Sequence, residues 1–225
     1  MNRLSPKRIV AFALASLFVV ATGPALAETP EATPTETPTP TPTPAVVEAP
    51  APDAEVKTVY DSVQKAAATA ADQAALTIEI TAILEGFVDY PTFAKRTLKR
   101  SWPDLSKAQQ TRFMMAFKAL IIKTYAKRFS PKTTFEWKHR AETAFRGKTN
   151  NLAKVKTVVS NDNVSVNVDY VMTRLGDEKT GSWKAFDFEV DDVSWARNWR
   201  RQFDQVIKKD GFEKLVEKIE AQVAK

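Results

Sequence analysis

Between Gly181 and Leu215 the hydrophobic period of the chain changes from two to nearly four within a few residues. In the first half, Lys184, Phe186, Phe188 and Val190 alternate with Trp183, Ala185, Asp187 and Glu189. Successive side chains of a strand take opposite sides, so the pattern predicts a strand with one strongly apolar face. After Asp191 and Asp192, the residues Val193, Trp195, Trp199, Phe203, Val206 and Ile207 recur at helical spacing. Arg197, Arg200, Arg201, Lys208 and Lys209 stand between them. Asp192 or Ser194 suits the start of that helix, where an acid also complements the dipole, and Gly211 suits its end. A short last helix is expected from Phe212 to Val223. An apolar strand that runs straight into an aromatic helix leaves few arrangements open. The helix has to lie against the sheet to which the strand belongs.

The preceding segments supply that sheet. Phe135, Trp137, His139, Ala141, Thr143 and Phe145 alternate with polar residues, and residues 155–160 read as a second strand. Asn161-Asp162-Asn163 makes a hairpin turn into a third, in which Val164, Val166, Val168, Tyr170 and Met172 share one side. Gly176-Asp177 turns the chain toward the strand described above. Four antiparallel strands, each apolar on one face, need helices to cover that face. Helices are predicted over residues 55–69 and 73–84, and from an Asp89 cap with Pro91 in the first turn to Arg100. Ser106 and Gln109 have capping-box spacing, so a long helix starts there. Its apolar residues Phe113, Met114, Met115, Phe117, Leu120, Ile121, Ile122 and Tyr125 cover well over half the circumference, more than the stripe of a surface helix. The expected fold is therefore α+β: N-terminal helices, a four-stranded antiparallel curved sheet, then C-terminal helices.

Several of these stretches resemble one family. Trp183-Lys184-Ala185-Phe186-Asp187, then Val193-Ser194, then Asn198-Trp199-Arg200-Arg201-Gln202-Phe203 are similar to the C-terminal signature of the MlaC family. Its members are periplasmic phospholipid-binding proteins, known also as toluene-tolerance auxiliary proteins. Asp89-Tyr90 with Phe93, Arg96, Leu98 and Trp102, and the ladder Gln109, Phe113, Phe117 and Tyr125, follow the family's helices. The likeness spans about residues 56 to 220. This chain departs from the pattern at Asp192 and Lys99, where the family favours glycine, and at Trp199, where it favours tyrosine. The architecture is similar to that of cystatin and nuclear-transport-factor relatives, in which sheet and helices enclose an apolar pocket. The resemblance implies a carrier that shuttles phospholipid between an outer-membrane lipoprotein complex and an inner-membrane ABC transporter complex, maintaining outer-membrane lipid asymmetry. It implies no cofactor; any ATP is used by the transporter.

The N-terminal region reads differently. Residues 1–27 carry Arg3, Lys7 and Arg8, an apolar run from Ile9 to Ala21, then Ala25-Leu26-Ala27, the layout of a cleaved signal peptide. Periplasmic localisation is expected. Residues 28–52 alternate Thr and Pro and offer almost nothing to bury, so a disordered, extended arm is expected. The resemblance implies that residues 53–225 form a phospholipid-binding domain. There is no cysteine, which excludes disulfides, thiolate metal sites and lipid attachment through a thiol. Without residues 1–27 the chain has 30 basic against 27 acidic side chains, too mild an excess for bulk nucleic-acid binding.

Catalytic signals are weak. The chain has neither a nucleophile elbow nor a phosphate loop, and its one histidine, His139, falls on the apolar side of a predicted strand as a core or pocket-wall residue. Asp187, Glu189, Asp191 and Asp192 read as a solvated face rather than a metal site. We therefore expect no enzyme, no cofactor and no metal. A pocket enzyme using His139 or Asp169, and a cavity-free interaction module, are the alternatives. For lipid, the wide arc of the long helix offers Phe113, Met114, Phe117, Leu120, Ile121 and Tyr125. The strands offer Phe135, Trp137, Val166, Val168, Tyr170, Phe186 and Phe188, and the C-terminal aromatic helix Trp195, Trp199 and Phe203. Arg96, Lys99, Arg100, Arg128, Arg200 and Arg201 are candidates for headgroup binding or docking, since arginine can hold phosphate through two N–H groups.

Overall fold

A Ser–Gln pair and a Ser–Asp pair set the two helices that matter most for the fold. In a computed structural model describing residues 50–126, 129–147, 150–161, 165–177 and 180–225, helix α4 spans Lys107–Tyr125. Its capping box is complete: the Ser106 hydroxyl accepts from the Gln109 amide and the Gln109 side chain accepts from the Ser106 amide. The other described helices are α1 (Pro52–Thr69), α2 (Gln73–Phe87), α3 (Tyr90–Leu98), α5 (Trp195–Asp210) and α6 (Phe212–Val223). Asp89 caps α3 through the Thr92 amide and Ser194 caps α5 through the Arg197 amide. Helix α1 begins three residues before the expected Glu55, with Pro52 in its first turn. The expected signal segment and most of the Thr/Pro arm lie outside the described residues, as do Arg128 and Val164. No helix among the described residues is long and apolar enough to cross a membrane.

The sheet is antiparallel, in the order β1 (Glu136–Arg146), β2 (Leu152–Ser160), β3 (Ser165–Leu175), β4 (Ser182–Val190), β5 (Val193–Ser194). Among the described residues it therefore has five strands rather than four. The chain folds back at Asp191–Asp192 so that Val193 and Ser194 pair with Val190 and Glu189 before α5 begins. Val88 adds a single parallel bridge to Ala185, so six segments contribute to the sheet.

Two irregularities change which side chains face the core. In β4, Asp187 lies opposite Val171 and Ala185 opposite Met172, which leaves Phe186 as an extra residue. A bulge of this kind reverses the alternation. Trp183 and Ala185 therefore join Phe188 in the core cluster, while Phe186 is buried beneath the Arg96 guanidinium, 5.5 Å from its ring centre. The expected alternation, with Phe186 and Phe188 on one side and Trp183, Ala185 and Asp187 on the other, does not survive that extra residue. In β1 the register shifts twice, between His139 and Ala141 and between Ala141 and Ala144. Ala141 consequently sits opposite Lys156, off the apolar side expected for it.

Helices α3 and α5 pack on β4, α4 packs on α3 and α6, and their apolar faces join those of the sheet in the main core. Its centre is aromatic. Phe113 stacks on Phe117 at 5.6 Å, Phe117 meets Phe93, Trp199 and Phe203 edge-on, and Phe93 continues to Phe188. Such ring pairs contribute about 0.5–1.5 kcal/mol each beyond the area they bury. A second, smaller core holds Val63, Ala66 and Ala67 of α1 against Leu76 and Ile80 of α2 and Ala126.

The two places where the sequence departs from glycine, Lys99 and Asp192, both have positive φ, 27° and 65°. Lys99 is the C-terminal cap of α3, donating its N–H to the Lys95 carbonyl. A left-handed backbone costs a non-glycine residue about 1–2 kcal/mol, and glycine there loses roughly 0.5–1 kcal/mol through unfolded-chain entropy. Lys99→Gly is expected to raise stability by about 0.5–1 kcal/mol. In urea denaturation the midpoint should rise with an unchanged slope; a lower midpoint would show that the Lys99 side chain contributes more than its backbone costs.

Candidate functional site

The core-facing side of the sheet is covered unevenly. Directly opposed residues share a face, and along one row Ala153 of β2, Met172 of β3 and Ala185 of β4 are all buried. Toward the other end the row Trp137, Val159 and Val166, and Val168 and Tyr170 beyond it, are only half-buried. Tyr170 connects the two regions: its ring is 5.7 Å from Phe188 and 5.9 Å from Phe87. From Phe188 the contacts run to Trp195 at 5.1 Å, which stacks on Tyr125 at 4.0 Å. Burial pushes the Tyr170 phenol up to about 12, partly offset by a hydrogen bond with Thr157, so it remains protonated at ordinary pH. The result is a continuous apolar surface from a half-open sheet end into the aromatic core.

The lipid candidates divide along that surface. Phe113, Phe117, Leu120 and Ile121 of α4, Phe188 of β4, and Trp199 and Phe203 of α5 are buried in the main core. Phe186 is buried beside Arg96. Met114, Tyr125, Phe135, Trp137, Val166, Val168, Tyr170 and Trp195 are half-buried. At the centre of the described core, where an enclosed pocket was expected, the rings of Phe93, Phe113, Phe117, Trp199 and Phe203 interlock. Two open clefts lie on the described surface instead. One, of about 760 Å³, runs between α4 and α6 past Met115, Ala119 and Val223. The other, of about 390 Å³, lies where α1 meets the start of β1. There Tyr60 and the Gln64 side chain both donate to the Phe135 carbonyl, and Tyr60 packs edge-on against Phe135. Nothing in the spacing of the sequence joined Tyr60 to Trp137; their rings lie 6.1 Å apart.

The basic candidates separate as well. Arg96 is held by Asp187, with Nε 3.0 Å from the carboxylate. Arg200 donates to the Arg96 carbonyl and Arg201 to Asn198. The Arg200 contact ties α5 to α3, Arg96 ties α3 to β4, and Lys99, Arg100 and Arg201 are exposed.

Of the acids read as a solvated face, Asp191 and Asp192 are exposed, whereas Asp187 and Glu189 are drawn into ion pairs and hydrogen bonds. Asp187 is fully buried and accepts four hydrogen bonds: from Arg96, from the Ser194 hydroxyl at 2.6 Å, and from the Phe188 and Ala196 amides at 2.9 and 3.0 Å. Glu189 accepts from Lys154, and Asp191 from Asn167. Asp169, also buried, takes Arg140 at 2.8 Å and Lys154 at 3.2 Å. It lies on the side of the sheet opposite Tyr170. His139 is exposed rather than cored, its ring nearly parallel to that of Trp137. No group of three metal-ligating side chains occurs among the described residues.

With this geometry in view, the family can be stated. The MlaC protein family model matches residues 53–221. The chain belongs to the MlaC family. A solved structure of the phospholipid-binding protein from Ralstonia solanacearum in complex with a phospholipid is similar in fold, with a TM-score of 0.64 at 21% identity. The match covers 77% of this chain and 99% of that one. Comparison with curated protein sequences returns no match.

Asp187 tests how far this site depends on one side chain. Removing one partner of a buried charged network costs about 3–5 kcal/mol, because the Ser194 hydroxyl and two amides lose their acceptor. Asp187→Ala is expected to lose about that much in denaturant unfolding, whereas Arg100→Ala, at an exposed position, should change stability by less than about 0.5 kcal/mol.

Proposed function

We propose that this protein carries phospholipid in the periplasm, enclosing the acyl chains and exchanging lipid between an outer-membrane lipoprotein complex and an inner-membrane ABC transporter complex. Membership of the MlaC family, together with a solved relative in fold that holds a phospholipid, supports a binding and transport role rather than a catalytic one. The observation that carries the reading for this chain is the continuous apolar surface from Trp137 and Val168 through Tyr170 and Phe188 to the α4–α5 rings. The physical demand is large: two acyl chains have about 30 methylenes, each favouring burial by roughly 0.8 kcal/mol. Lipid and aromatic rings compete for the same interior, so loading separates rings that touch in the structure described above. Their lost contacts are exchanged for contacts with the chains, and polar α-helical surface stays outside. Direction follows from which membrane partner favours the loaded form.

Detergent-free purification followed by native mass spectrometry and lipid extraction tests the reading. Bound diacyl phospholipid is expected, and a protein that neither carries lipid nor takes it from vesicles would overturn it. Tryptophan substitutions then locate the chains. Val168 is half-buried on the open side of the sheet, so Val168→Trp should reduce bound lipid severalfold while cooperative unfolding is kept. Ile121 is 2% exposed in the packed core. Ile121→Trp should overpack it and cost about 1–3 kcal/mol.

A further inference from the structure

The cleft between α1 and the start of β1 has features that the acyl-chain surface does not need. Along its walls lie Lys57, Tyr60 and Asp61 of α1, and Glu136, Trp137 and Lys138 of β1. Two cations and two anions thus stand around aromatic rings. The charges pair within their own elements, Lys57 with Asp61 at 2.6 Å and Lys138 with Glu136 at 3.2 Å. Their side chains are 55–73% exposed, and pairs in such positions contribute little, so a ligand bearing both signs can exchange with them at small cost. A second observation is independent of charge. The Trp137 indole nitrogen is buried and has no hydrogen-bond partner among the described residues. A buried N–H without an acceptor costs about 1–3 kcal/mol, which an incoming oxygen would recover. Trp137 is also the first residue of the half-buried row that leads through Val159 and Val166 toward Val168 and Tyr170.

We propose that this cleft is the headgroup site for a zwitterionic phospholipid of the aminoalkyl phosphate class, a reading that rests on the carrier function above. The phosphate is held by Lys57, Lys138 and the Trp137 N–H. The amine is held by Asp61 and Glu136 beside the Tyr60 ring, whose face attracts a cation. The acyl chains then leave the cleft along the Trp137–Val166 row. The charge balance of the cleft selects against a headgroup carrying only negative charge, because its two carboxylates find no partner on such a ligand.

The test offers the full chain, purified without detergent, vesicles of equal parts phosphatidylethanolamine and phosphatidylglycerol, and reads the bound lipids by mass spectrometry. The wild type is expected to carry phosphatidylethanolamine at several times the proportion in the vesicles. Asp61→Lys with Glu136→Lys, both at exposed positions, should reverse that preference toward phosphatidylglycerol. Trp137→Phe keeps the ring and removes the donor, and should lower the amount of both lipids severalfold without altering their ratio. A wild type that takes both lipids in vesicle proportion, or a double variant whose preference equals that of the wild type, overturns the headgroup site and leaves the carrier reading standing. A wild type that takes no lipid overturns both.

Discussion

A single buried carboxylate organises the C-terminal half of the domain. Asp187 is fully buried, and a bare charge in that setting is too costly to keep. Its four donors come from α3, from its own strand, from β5 and from the first turn of α5. Satisfying them fixes the chain reversal after β4, places Ser194 to cap α5, and ties α3 to the sheet through Arg96. The start of α5 also presents the positive end of its dipole to that carboxylate. The position of the Trp199–Phe203 face over Phe117 follows from this arrangement, and with it the aromatic core.

The main elements were legible because they depend on local chemistry. The Ser106–Gln109 capping box, the Asp89 cap and the Phe212–Val223 helix all stand where spacing and propensity put them. What escaped depends on an extra residue in a ladder or on contacts distant in sequence. Phe186 looks like a core residue by alternation, and only the pairing of β4 with β3 reveals it as the inserted one. Asp187 was read as solvated because a carboxylate on an alternating strand ordinarily is; its donors include Arg96, 91 residues earlier. The fifth strand is two residues long, too short for any periodic signal. Lys99 and Asp192 were visible as departures from a glycine pattern, and their positive φ explains why glycine suits those places.

The division of the lipid candidates has the same origin. Apolar spacing identified residues that avoid water without separating those that meet other side chains from those that stand at an opening. Phe117 and Val168 carry the same signal in sequence, yet one is enclosed by four rings and the other stands half-open on β3. The α1 contribution to the cleft was missed for a related reason: Tyr60 and Gln64 reach a carbonyl more than 70 residues away.

The margins of the sheet have a consequence for how such a protein behaves at high concentration. An antiparallel sheet with a partly uncovered apolar face is a template for self-association wherever its last strand offers unpaired backbone. Here β4 does not end the sheet in the open, because β5 and Val88 both pair along it. At the opposite margin β1 is broken by two register shifts, bears Glu136, Lys138, Arg140 and Arg146, and has α1 bonded to the carbonyl just before it. A second copy meeting this margin finds an interrupted ladder and charge rather than a straight strand to extend. Strand-by-strand growth into aggregates is thus discouraged at both margins.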